Sequence, residues 1–146
     1  MTQPILEIEN LSISYFTRAG EIPAVVNFNM VLHEGESIGL VGESGCGKST
    51  MAMAIMQYLG SNAKVVQGSI KFKGKDLAQL DKEQLRQIRG NEIAMIYQEP
   101  MASLNPSMRI GRQLIEVLRC HESISKQQAY KQSLEILSNV NLPDPQ

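Results

Sequence analysis

The sequence predicts an α/β fold with an antiparallel β section in front and a helical section behind. Three observations predict it. Apolar and polar residues alternate at two places in the opening quarter, as strands with one buried face require. The run SIGLVG, residues 37–42, is apolar without alternation and leads through a glycine-rich loop into a helix-forming stretch. Helical periodicity marks Ile110 to Leu118 and Ser125 to about Val140.

Each element has its own local cause. Leu6 and Ile8 alternate, then Leu11, Ile13 and Tyr15 do so on the opposite parity, so the spacing predicts a strand with a bulge near Asn10 or two short strands. Val26, Phe28, Met30 and Leu32 form the next alternating set, and HEGE (33–36) supplies a turn. SIGLVG predicts a strand buried on both faces. STMAMAIMQYLG, 49–60, is rich in helix formers, with Gly60 expected as its C-cap. GSIKFKGKDL sets Ile70 and Phe72 against Lys71 and Lys73 and turns at Gly74. Asp81 with Gln84 three residues on predicts a capping box and a short helix to Gly90. IAMIYQEP (93–100) is a second apolar strand that Pro100 ends, and LPDPQ breaks the final helix. No internal repeat or low-complexity linker interrupts the chain.

Composition narrows the function classes. With 146 residues, 42% hydrophobic and 20% charged, the chain can build about one domain with a core of its own. The net charge of −1, from 14 Lys and Arg against 15 Asp and Glu, supplies no global attraction for nucleic acid or anionic lipid. Any anion site must be local. No apolar run approaches the roughly 18 residues of a membrane-spanning helix, and the first ten residues do not read as a signal peptide, so a cytosolic chain is expected. Cys46 and Cys120 have no metal-ligand spacing and suit a reducing compartment.

The local site is GESGCGKST, residues 42–50. Gly42, four residues, then Gly47, Lys48 and Ser49 satisfy G-x-x-x-x-G-K-[ST] between a predicted strand and a predicted helix. The chemistry explains the residue types. Gly42, Gly45 and Gly47 let successive N–H groups converge on phosphate oxygens, with Glu43, Ser44 and Cys46 completing the cradle. The helix that follows adds unpaired N–H donors and a partial positive charge. Lys48 would reach the outer phosphates, Ser49 would coordinate Mg2+, and Thr50 would donate to an inner phosphate. Cys46 reads as a small residue tolerated in the loop, with a thiol that a helix N-terminus tends to acidify.

Tyr15, this loop and YQEPMASLNP (97–106) together resemble the ATP-binding subunit of an ABC transporter, in the subfamily serving oligopeptide, dipeptide and nickel importers. That subfamily carries a stretch much like Q-D-P-x-x-S-L-N-P, from which Glu99 departs while keeping the charge. The resemblance runs over essentially all of the chain. It implies an incomplete ABC ATPase fold: an antiparallel β subdomain over 1–36, a P-loop NTPase core over 37–100, and the beginning of a helical subdomain over 101–146. It implies ATP and Mg2+ as cofactors, Tyr15 stacking on adenine, and Gln98 meeting magnesium and the attacking water. On the residues alone, Tyr15 also reads as a strand-end aromatic on the core and Gln98 as a strand-terminal turn residue. His33 and His121 receive no role.

The resemblance also implies partners: a second ABC ATPase subunit, as homodimer or heterodimer, and membrane-spanning permease subunits on the inner face of the cell membrane. Nucleic acid is not among them. The family's L-S-G-G-Q signature, its apolar strand ending in Asp-Glu and its switch histidine do not occur within these residues. The expectation is a chain that binds ATP without turning it over alone, within a parent ATPase importing peptides or related solutes. A parallel sheet built on SIGLVG and IAMIY would then leave an unpaired apolar edge. A non-hydrolysing regulatory module and another P-loop NTPase, such as a small-molecule kinase, are the alternatives.

Overall fold

A computed structural model describes residues 3–140, which divide into two compact units, one up to Met95 and one from Ile96 on. The expected helix break at LPDPQ lies outside the described residues.

The first unit is built on β1 (Leu6–Thr17), β2 (Gly20–Leu32), β3 (Ala63–Phe72) and the short β4 (Lys75–Asp76), all antiparallel, in the order β2-β1-β3-β4. β1 is central and stays one strand through its bulge. Between the pairs Ile8↔Met30 and Leu11↔Phe28, two residues of β1 face one of β2, and against β3 the same happens between Glu9↔Ser69 and Ser12↔Gln67. Asn10 takes a φ of 49° there, which shifts the inward parity from Leu6 and Ile8 to Leu11 and Ile13. Opposite the bulge, Gly68 has a φ of 86°, and a Cβ on it would lie 2.3 Å from the Glu9 carbonyl oxygen. Only glycine fits that gap.

Ile8, Leu11 and Ile13 are at most 1% exposed, and burying each contributes about 1.5–3 kcal/mol. They pack with Ile70, Phe72 and Leu77 and with Met51 and Ala54 from the helix α1 (Lys48–Ile55). That packing seats α1, and so its N-terminal loop, on the sheet. On the opposite parity of the β1–β3 pair, Lys71 sits 2.9 Å from a Glu9 carboxylate oxygen. The hydrogen bond lowers the Glu9 pKa and raises that of Lys71.

Two expected strands do not form. Residues 37–43 carry no assigned secondary structure, and Val41 is 94% exposed. Residues 94–97 likewise form no ladder beyond a single parallel bridge between Arg89 and Ile93, and Ile96 is 93% exposed. An apolar run becomes a buried strand only when neighbours supply its ladder and cover both faces. Among the described residues every ladder in the sheet is antiparallel, and the sheet is completed by β3 and β4 from the 37–100 segment rather than by residues 1–36 alone.

The expected C-cap at Gly60 is also corrected. α1 ends a turn earlier, where Gln57 adopts a φ of 49° and a Schellman arrangement closes the helix: Gln57 N–H donates to Ala54 O at 2.9 Å and Tyr58 N–H to Met53 O at 2.8 Å. The guanidinium of Arg89 then donates to Met56 O at 2.8 Å and Gln57 O at 2.5 Å, with its charge 5.9 Å from the Tyr58 ring centroid. A cation at a helix C-terminus also opposes the helix dipole. Arg89→Ala is therefore expected to destabilise the first unit by about 1.5–3 kcal/mol, the scale of hydrogen bonds to a charged group. Urea denaturation checks this, and an unchanged midpoint would refute the clamp.

The capping box at Asp81 forms as predicted and opens α2 (Lys82–Ile88), with Gln84 N–H donating to Asp81 Oδ1 at 2.8 Å and Asp81 N–H to Gln84 Oε1 at 2.9 Å. The second unit holds a 3-10 turn (Pro100–Ser103), α3 (Ile110–His121) and α4 (Lys126–Asn139), and the two helices pack together. Gln113 of α3 binds both the N–H and the carbonyl of Asn105 at 3.0 Å, which pins the SLNP stretch to the helix. Ser125 caps α4 in a second capping box with Gln128.

Candidate phosphate-binding site

The glycines of GESGCGKST do different jobs. Gly47 is the N-cap of α1 with a φ of 94°, and a Cβ on it would lie 2.4 Å from Ala24 O and 3.1 Å from Val25 Cγ2 of β2. It is needed both for its backbone angle and for close approach to the sheet. Gly45 needs only the angle, at φ 82° with open space around its Cβ position. Gly42 is the least demanding of the three, because its Cβ would meet only Cys46 Sγ at 2.6 Å, a side-chain atom that can rotate away.

The loop closes on itself through Cys46 N–H to Glu43 O at 3.3 Å, and the helix begins with Met51 N–H to Gly47 O at 2.9 Å. Lys48, Ser49 and Thr50 precede that first helical bond, no side chain caps the helix, and its first turn holds no acidic residue. Their N–H groups thus keep the donor capacity and partial positive charge of an open helix N-terminus. Lys48 folds back over the loop, donating from Nζ to Gly42 O and Glu43 O at 2.6 Å each, with Cys46 Sγ at 3.4 Å. Carbonyl dipoles satisfy the ammonium there, and anionic oxygens would satisfy it more strongly.

Ser49 is exposed next to Lys48, and its hydroxyl is the hard oxygen donor that magnesium takes. Ser44 is exposed in the loop turn. Tyr15, half-buried on β1, places its hydroxyl 3.1 Å from Thr50 Oγ1. The structure therefore joins Tyr15 to the loop through its hydroxyl, a contact the sequence did not suggest. Gln98 and Glu99 are exposed in a bend within the second unit, just before the 3-10 turn. His33 lies in the HEGE turn, where its N–H donates to Glu36 Oε2 at 2.7 Å. His121 is the last residue of α3.

Local reading missed Ala24 and Val25 as the wall behind Gly47, and Arg89 as the clamp on α1. Nothing in the short motif signals residues so distant in sequence.

A family model described as ABC transporter matches residues 25–146. The dipeptide transport ATP-binding protein DppD of Lactococcus lactis subsp. cremoris is 42% identical over 143 residues, covering 97% of this chain and 41% of that protein. The oligopeptide transport ATP-binding protein OppD of Bacillus subtilis is 44% identical over 143 residues, covering 97% of this chain and 40% of that protein. The chain thus spans about two fifths of the length of these relatives. The solved dimer of MJ0796, a bacterial ABC transporter cassette, superposes with a TM-score of 0.79 at 26% identity, covering 95% of this chain and 58% of that one. The fold is accordingly a partial ABC cassette of the P-loop α/β class, and the chain belongs to the ABC transporter family.

Proposed function

We propose that the chain binds ATP with magnesium through residues 42–50, and that the whole protein couples ATP hydrolysis to import of peptides or related solutes. The observation that carries the binding reading is the uncapped start of α1 beneath a loop whose Lys48 ammonium rests on the Gly42 and Glu43 carbonyls at 2.6 Å. The transport reading rests on relatives named as dipeptide and oligopeptide transport ATP-binding proteins.

In this reading the loop N–H groups and Lys48 hold the phosphates, Thr50 donates to an inner phosphate, and the Tyr15 ring packs on adenine. Among the described residues no group of three or more His, Cys, Asp or Glu gathers to hold a metal. Magnesium would instead take Ser49 Oγ and phosphate oxygens, the hard oxygen donors it prefers. ATP supplies the bond whose hydrolysis does work. The residues here bind and orient it, while water activation and full charge stabilisation need groups outside residues 1–146. A second ATPase subunit and membrane-spanning permeases at the inner face of the membrane complete the assembly; the dimeric cassette MJ0796 supports the pairing of ATPase subunits.

Calorimetric titration with Mg-ATP, Mg-ADP and AMP tests the site. Affinity should rise with each added phosphate, and equal affinity for AMP and ATP would overturn the reading. In a phosphate-release assay, residues 1–146 should hydrolyse Mg-ATP no faster than their Lys48→Ala variant. Lys48-dependent turnover would show that a catalytic group lies within them.

A further inference from the structure

We propose that Tyr15 is a positioning residue for the phosphates: its hydroxyl, 3.1 Å from Thr50 Oγ1, selects the Thr50 rotamer and sharpens Thr50 as a phosphate donor. This rests on the reading of residues 42–50 as a phosphate loop.

Helical threonine divides between two χ1 rotamers because its hydroxyl can turn back onto a carbonyl of the preceding turn. For Thr50 those carbonyls belong to Cys46 and Gly47, and the Gly47 oxygen already accepts Met51 N–H at 2.9 Å. The Tyr15 hydroxyl offers Thr50 Oγ1 a different partner. It offers that partner from a rigid base, since Tyr15 is paired with Ile22 of β2 on one side and Ala63 of β3 on the other. A hydroxyl fixed by the central strand thus sets the direction of one on the helix.

Proton direction follows from what a phosphate can do. Each hydroxyl has one hydrogen to donate, and phosphate oxygens only accept. With an anion at the helix start, the favoured arrangement has Tyr15 donating to Thr50 and Thr50 donating outward. Chained hydrogen bonds polarise one another, more so in half-buried surroundings such as these. The hydroxyl thus acts on the phosphates through Thr50, separately from the packing on adenine proposed above for the ring.

The test compares Tyr15→Phe, Tyr15→Ala, Thr50→Val and the double variant Tyr15→Phe/Thr50→Val in the protein, using calorimetry for ATP and competition for adenosine. Tyr15→Phe should weaken ATP binding about threefold to tenfold, the scale of one hydrogen bond, while adenosine affinity is kept because the ring remains. The double variant should bind ATP no more weakly than Thr50→Val alone, because both changes remove the same contact. Tyr15→Ala should weaken both ligands. Wild-type ATP affinity in Tyr15→Phe, equal losses for adenosine and ATP in that variant, or additive losses in the double variant would each overturn the proposal. Lys48→Ala separates the two readings. If it retains wild-type ATP affinity, the phosphate loop itself fails, whereas a defect there with none in Tyr15→Phe removes only the role of the hydroxyl.

Discussion

Gly47→Ala is expected to destabilise the first unit by about 2–5 kcal/mol and to abolish nucleotide binding in whatever remains folded. Two independent costs add. A side chain at φ 94° leaves the ordinary backbone regions, which costs roughly 1–2 kcal/mol. The new Cβ would also stand 2.4 Å from Ala24 O, a backbone atom of β2 that can retreat only by bending the strand, and such overpacking costs about 1–3 kcal/mol. Either response moves the start of α1 away from the loop. Gly45→Ala is the matched control, because its φ of 82° carries the conformational cost with nothing within 4 Å of the added carbon. Urea denaturation of the pair checks the argument. Equal stability of the two variants would mean that the contact with β2 is unimportant.

Lys48→Ala should weaken ATP binding by at least about 2 kcal/mol, roughly thirtyfold, with a much smaller effect on AMP. The ammonium lies over the loop between two carbonyls at 2.6 Å, so it is already held near the position from which it would meet phosphate oxygens. Little ordering entropy remains to be lost on binding. The loss should shrink as salt is raised, because the loop is exposed and its charge is screened. Unchanged ATP affinity by calorimetry would remove Lys48 from the site. Loss of AMP and ATP binding to the same extent would instead indicate a general disturbance of the loop.

What could be read locally was read well. The capping box at Asp81 and Gln84, the turn at Gly74 and the inward alternation of Ile70 and Phe72 involve residues a few positions apart, where bonding and side-chain direction follow from spacing. The parity change at Asn10 announced the bulge because a one-residue insertion flips every later side chain to the other face. The end of α1 was misplaced because glycine is the usual left-handed residue, whereas here Gln57 takes that conformation and Arg89 satisfies the carbonyls around it.

The sequence by itself determined the phosphate-loop pattern, the antiparallel front section and the family, since each rests on residue types at short fixed spacings. Tertiary structure alone decided that SIGLVG and IAMIY stay without a sheet, because a parallel ladder depends on strands that the run itself does not contain. It also decided that Gly47 abuts Ala24, that Arg89 closes α1, and that the Tyr15 hydroxyl meets Thr50. These contacts join residues more than twenty positions apart, and their existence follows from the register of β1 and the seating of α1 on the core, which no single stretch of sequence contains.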